Sequence, residues 1–175
     1  GVCVVPVRRL KFGVPLPAQT LPSLGVVICC YTADRWELLL RSIDAALAQA
    51  VDGDEVIVVV DHAAALRDRL RQHYAEREPA RRPTILASTG TRGLSGARNS
   101  GLAAATGEVL VFLDDDAVLE ADALQAVRDG MRDPSVSCLG GAVRPDWAAG
   151  VPAWFPEEFG WVVGCDYRGM PADRT

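Results

Sequence analysis

The residues best suited to chemistry are Asp114, Asp115 and Asp116, three carboxylates in a row after the apolar run EVLVFL at 108–113. Side by side they repel. Two like charges about 4 Å apart cost about 1 kcal/mol in water and about 4 kcal/mol at an effective dielectric near 20. A divalent cation relieves that repulsion, and an all-oxygen donor set selects Mg²⁺ or Mn²⁺. Strand alternation carried through the triplet would put Asp114 and Asp116 on one side as the metal pair, with Asp115 on the other. The competing reading is acidic capping of the helix that follows, and the triplet alone does not separate the two.

A second set lies upstream. Gly90, Gly93 and Gly96 are spaced three apart, which is neither a dinucleotide fingerprint nor a G-K-[ST] phosphate loop. The stretch GLSGA at 93–97 also fails to complete a G-x-S-x-G nucleophile elbow. What remains is a flexible loop entering a helix, with Arg92 and Arg98 near its positive end. Such a place suits a diphosphate, or it is simply a helix entry with surface arginines. Asp61, at the end of EVIVVVD, is placed either to accept hydrogen bonds from a nucleobase or ribose or to be a solvated loop acid. Neither His62 nor His73 sits in a zinc pattern, and both read as structural or surface residues.

The elements that must position these groups follow from periodicity. LGVVICCY at 24–31, EVIVVVD at 55–61 and EVLVFL at 108–113 are continuously apolar, as strands buried on both faces are. A short strand is expected at 84–88 and a last one around 136–143. Trp36, Leu39, Leu40, Ile43 and Leu47 share one face of a helix from about Arg35 to Ala50, with Asp34 as its N-cap. Leu66, Leu70 and Tyr74 mark a second helix whose arginines are a solvated face. Ala97 to Ala105 reads as a third, stopped by Gly107, and Leu124, Val127 and Met131 mark a fourth ending near Asp133-Pro134. Strands alternating with helices mean parallel strands joined by right-handed crossovers, an α/β doubly wound sheet. In such sheets ligands bind at the carboxyl ends of the strands. Tyr31, Asp61, the glycine loop and the triplet all fall there.

The 175 residues suit one globular domain: 49% are hydrophobic, 23% charged, and the net charge is −5. A sequence pI near 5.0 removes the footprint of a nucleic-acid binder. No apolar run reaches the roughly 18 residues of a membrane span. Cys3, Cys29, Cys30, Cys138 and Cys165 form no C-x-x-C pair, so they read as reduced, buried thiols of a cytoplasmic protein. Prolines 6, 15, 17 and 22 predict an irregular arm over residues 1–23. Residues 24–143 make the core. From 144 to 175 the chain is loop-rich, and Trp147, Trp154 and Trp161 are expected mainly in ordinary core or interface packing. The first residue is Gly1, not Met, which suggests a piece of a longer chain.

Taken in order, these pieces resemble the family 2 glycosyltransferases, which have the GT-A fold: a Rossmann-like, mostly parallel sheet flanked by helices. VVICCYTADRWELLLRSIDAALAQ is similar to that family's opening strand and helix, and EVIVVVD to its second strand. GLSGARNSGLAAATGEVLVFLDDDA resembles its helix entry followed by the Asp-x-Asp signature. The resemblance implies transfer of a sugar from a nucleotide-diphospho-sugar to an acceptor hydroxyl of a glycan, lipid or small molecule, with inversion. It implies Tyr31, Asp61, Arg98, Asn99, Asp114 and Asp115 around the donor, and Mn²⁺ or Mg²⁺ on Asp114 and Asp116. The family's catalytic base lies in an acidic motif further along, and Arg144 to Thr175 do not match it. The chain is therefore expected to be a donor-binding part, alone binding without turnover, with any attachment to the inner face of a membrane supplied by other sequence. The alternative is a non-catalytic nucleotide-sugar-binding module. A phosphoreceiver domain is a poor reading, because it needs a lysine after its last strand and the single lysine, Lys11, stands in the N-terminal arm.

Overall fold

The computed structural model describes residues 2–6, 21–147 and 150–166. Strands β1 (Val2–Pro6), β2 (Leu24–Cys30), β3 (Glu55–Val60), β4 (Thr84–Ala87), β5 (Val109–Asp114) and β6 (Leu139–Gly140) form one sheet in the order β4-β3-β2-β5-β1-β6. The four strands β4, β3, β2 and β5 run parallel. β1 is antiparallel both to β5 and to β6. Helices α1 (Trp36–Gln49), α2 (Ala64–Tyr74), α3 (Leu94–Ala104) and α4 (Ala123–Gly130) complete the fold.

The apolar strands are buried on both faces because two cores form. Val26, Ile28, Val56, Val58, Val60, Val111 and Leu113 face α1, α2 and α4, where they meet Leu39, Ile43, Leu66, Leu70 and Leu124. The alternate positions Val27, Ile57, Val59 and Leu110 face α3 and Ala97. Gly101 lets α3 lie on the sheet, since a Cβ there would overlap the Val27 side chain. β2, β3 and β4 advance in one direction, then the chain crosses back and lays β5 on the other side of β2. That reversal is the topological switch point, where open α/β sheets leave a crevice.

Several expectations are corrected. The first residues are not wholly irregular: Val2–Pro6 is a strand, and proline is tolerated because Pro6 is its last residue. Residues 7–20 of the expected arm lie outside the described residues. The last strand is only Leu139–Gly140, and α4 stops at Gly130. Asp34 does not cap α1, whose N-cap position is held by Arg35 with no side-chain capping bond. Instead, the Asp34 amide donates to Thr32 Oγ1 (3.2 Å) in a tight turn. Trp154 and Trp161 are not core residues, being 79% and 62% exposed. No helix among the described residues is long and apolar enough to cross a membrane.

A buried ion pair ties the sheet to α4. The Asp54 carboxylate accepts the amides of Leu24 and Val51, each at 2.9 Å, and also the Arg128 guanidinium. Both side chains are almost fully buried.

Candidate active site

A cleft of about 530 Å³ opens at the carboxyl ends of β2, β3 and β5. Its rim and floor carry Tyr31 after β2, Asp61 and His62 after β3, Arg92, Gly93 and Leu94 at the entry to α3, and Asp114 at the end of β5 with Asp115 and Asp116 after it. Residues scattered over 86 positions, from Tyr31 to Asp116, are thus brought to one place by the parallel topology.

The triplet does not alternate as a continued strand would. Pairing with β2 ends at Asp114, opposite Cys29, and a turn closed by the Ala117 amide on the Asp114 carbonyl (3.1 Å) follows. Ser42 of α1 fixes that turn through a hydroxyl bond to the Ala117 carbonyl (2.7 Å). Asp114 consequently points to the α3 side, where Arg98 reaches its Oδ1 at 3.2 Å. Asp115 and Asp116 share Arg35 on the α1 side: Nη2 lies 3.1 Å from Asp115 Oδ1, and Nη1 lies 2.9 Å from Asp116 Oδ2. Asp116 is therefore grouped with Asp115, not with Asp114. Burial pushes the Asp115 carboxyl above its usual range. Arg35 opposes that push, and Asp116 and Asp114 add to it.

Asp61 is the opposite case. Burial alone would raise it, but hydrogen bonds from His62 (Nδ1 to Oδ1, 2.7 Å) and from the Gly93 amide (2.8 Å), with the pull of His62 and Arg92, hold it below the usual value. His62 is thus part of the cleft wall, not a detached surface residue. The loop that brings Gly93 there is tightly folded: Gly93 has φ +120°, and a Cβ on Gly96 would land on the Thr91 carbonyl oxygen. Buried Ser100 accepts the Thr89 amide (3.0 Å) and donates to the Gly96 carbonyl (2.9 Å), locking the loop to α3.

Of the residues singled out from sequence, Tyr31, Asp61 and the three aspartates line the cleft, and Arg98 joins through Asp114. Asn99 is exposed on α3 and does not line it. Arg35 was missed as a site residue. Its signal was available, because it follows a buried strand end by only a few residues, on the helix start facing the triplet. Glu157, Glu158 and Asp166 lie outside the cleft, and Asp166 accepts the Val143 amide instead (3.2 Å).

The cleft thiol is unreactive by construction. Burial, with Asp114, Asp115 and Asp61 nearby, raises Cys29 to about 11 against the pull of Arg98, and burial raises Cys30 to about 12. Cys138 is exposed, against the expectation of buried thiols. Iodoacetamide at pH 8 should therefore modify Cys138 first, with Cys29 lagging about a hundredfold behind an unperturbed thiol. Peptide mass mapping over time checks this, and early labelling of Cys29 would contradict it.

The family model for glycosyl transferase family 2 matches residues 25–166, from the first parallel strand through the tail. The chain belongs to this family. A glucosyl-dolichyl phosphate glucuronosyltransferase of Haloferax volcanii is 35% identical over 149 residues, 85% of this chain and 47% of that protein. An uncharacterized glycosyltransferase of Nostoc is 35% identical over 106 residues, 60% of this chain and 31% of its own length. Among solved structures, a mannosyltransferase from Pyrobaculum calidifontis in complex with GDP-Man and Mn²⁺ superimposes with a TM-score of 0.55 at 25% identity, over 70% of this chain and 35% of that one. The glycosyltransferase family 2 chain described here spans less than half the length of these relatives. Its sheet is the GT-A sheet, and the match reaches 23 residues beyond the core boundary expected at residue 143.

Proposed function

We propose that this family 2 domain binds a nucleotide-diphospho-sugar across the ends of β3, β2 and β5 and serves a glycosyltransferase that passes the sugar to an acceptor hydroxyl. The observation that carries the reading is the convergence of Asp61, Asp114, Asp115 and Asp116 on one cleft at the switch point, with the α3 N-terminus between Asp61 and Asp114. The mannosyltransferase complex with GDP-Man and Mn²⁺ supports it, because the two share this sheet.

The donor set fits a divalent ion held together with a diphosphate. Among the described residues, no group of three His, Cys, Asp or Glu side chains is arranged as a ready-made cage. Mg²⁺-type sites are instead commonly built from one or two carboxylates plus substrate phosphates. Asp116 would supply such a carboxylate, as a hard oxygen ligand suited to Mn²⁺ or Mg²⁺, whereas Asp114 is held by Arg98 on the α3 side. When bound, the ion would neutralise charge gathering on the departing nucleoside diphosphate.

The chain's own residues do the remaining work. Arg35 holds the buried Asp115 and presents Asp116, Arg98 fixes Asp114, and the α3 amides face an anion. Tyr31, 63% exposed at the mouth, offers a face to the nucleoside. An acceptor hydroxyl attacking opposite the diphosphate would invert the anomeric centre, its proton going to a carboxylate outside the described cleft.

The test is a thermal-shift titration of UDP, GDP and dTDP, with and without Mn²⁺, on the wild type and on Asp116→Ala. At 100 times its Kd a ligand adds about 2.7 kcal/mol, roughly 5–10 °C for a domain of this size. One nucleotide should give that shift only with metal, and the variant should lose it while keeping its unliganded Tm, since Asp116 is exposed. The absence of any shift with a folded protein would refute the donor site. Metal-dependent binding without turnover in a longer chain would favour the non-catalytic module.

A further inference from the structure

The Arg35 guanidinium bridges two of the three aspartates, and the two ends of the bridge are unequal. Nη2 lies 3.1 Å from Asp115 Oδ1 and 3.2 Å from Asp115 Oδ2, so this carboxylate is gripped through both oxygens. Nη1 meets Asp116 at Oδ2, at 2.9 Å. The Asp115 side chain is 8% exposed and that of Asp116 is 45% exposed. The Asp115 end is therefore the anchor, and the Asp116 end faces the cleft and can let go. Arg35 lines the cleft itself, with its guanidinium 5.7 Å from the Tyr31 ring centroid. The start of α1 does not depend on this side chain: Arg35 makes no side-chain capping bond, and its backbone carbonyl accepts the Leu39 amide at 2.9 Å.

We propose that Arg35 is a charge filter on Asp116: it disfavours a bare divalent cation there and favours the same cation when it arrives with a diphosphate. The proposal rests on the donor-site reading and deepens it by assigning the residue that decides what enters the site. A guanidinium stays charged at every working pH, so Arg35 competes for the Asp116 oxygen with any incoming cation. A bare divalent ion must displace Nη1 and then lie beside a guanidinium still anchored on Asp115, positive against positive. The two phosphates of a donor cancel the charge of the ion, and a free nucleoside diphosphate more than cancels it. Nη1, released from Asp116, then has an anionic phosphate oxygen to donate to. Arg35 thereby couples the ion to the diphosphate, and the coupling is reciprocal. A guanidinium that only tied α1 to the strand end would affect stability and leave the relative affinity for the two forms unchanged.

The experiment compares the wild type with Arg35→Met, Arg35→Gln and Arg35→Lys. Electron paramagnetic resonance measures the binding of Mn²⁺ alone, and titration calorimetry measures UDP and GDP in excess Mn²⁺. Circular dichroism and Tm report folding, and Arg35→Gln, which can still donate to Asp115, provides a second neutral variant should Arg35→Met not fold. The neutral variants should bind Mn²⁺ alone at least fivefold more tightly than the wild type. They should bind the preferred nucleotide with Mn²⁺ at least fivefold more weakly. Arg35→Lys, which keeps the charge, should stay within about threefold of the wild type in both measurements. Unchanged or weaker binding of Mn²⁺ alone in the neutral variants would overturn the proposal. So would a change of both affinities in the same direction, or a lysine variant that behaves as the neutral ones do. In each of these cases, binding of UDP or GDP with Mn²⁺ to the wild type would leave the donor-site reading standing. Failure of both nucleotides to bind the wild type would overturn that reading and this one with it.

Discussion

Asp54→Ala should cost the fold about 3–5 kcal/mol, the usual penalty for removing one partner of a buried ion pair. The Arg128 guanidinium is 3% exposed and Asp54 is 1% exposed, so no solvent reaches the orphaned charge. The Leu24 and Val51 amides lose their acceptor in the same step. These amides start β2 and follow α1, so the loss falls on the central parallel strand and on its link to α1. For a chain of this length the Tm should drop by roughly 6–20 °C. Calorimetry of Asp54→Ala beside Asp54→Ala/Arg128→Leu checks the cause, because the double variant removes the buried charge and should recover much of the stability. A drop below about 2 °C in the single variant would mean that the pair carries little of the fold's stability.

Gly96→Ala should disable the cleft from a position that does not line it. Its Cβ would fall on the Thr91 carbonyl, and Gly90 lies so close that a Cβ on it would come within 2.9 Å of the Gly96 backbone. Backbone cannot rotate away as a side chain can, so the loop from Gly90 to Gly93 must lift off α3. That takes the Gly93 amide from Asp61 and frees His62 to turn. Overpacking of this kind costs about 1–3 kcal/mol of stability. Nucleotide affinity should fall at least a hundredfold, about 2.7 kcal/mol by titration calorimetry. Unchanged affinity in a folded Gly96→Ala protein would show that the loop does not shape the site.

The parallel core was legible because its signal is local. The runs at 24–30, 55–60 and 109–114 are apolar on both faces, and the helices between them carry one apolar face each, so order and crossover rules leave few arrangements. The aspartates and Asp61 were legible for the same reason, standing where buried strands stop. What escaped depended on distant partners. Nothing in the spacing of Asp54 and Arg128, 74 residues apart, announces an ion pair. Arg35 and His62 became site residues only through their contacts with Asp116 and Asp61. The triplet's geometry was misjudged because a turn at Ala117 replaced the strand alternation, and Ser42, from α1, anchors that turn. The strand at Val2–Pro6 was hidden by the prolines, although only Pro6 lies within it.

That strand gives the sheet an awkward order of birth. Val2 pairs with Leu113 and Pro6 with Val109, so β1 leaves the ribosome more than a hundred residues before its partner exists. At about 5–20 residues per second it waits on the order of 5–20 s with its hydrogen-bonding edges unpaired. The two-residue β6, which touches the sheet only through β1, must wait in turn. The half of the sheet that carries β4, β3 and β2 can assemble as it is made, while the other half closes only after β5 has been synthesised. Elongation that is slow relative to this closure lengthens the exposure, and β1 is where a nascent chain would be captured by a chaperone or by a neighbouring copy.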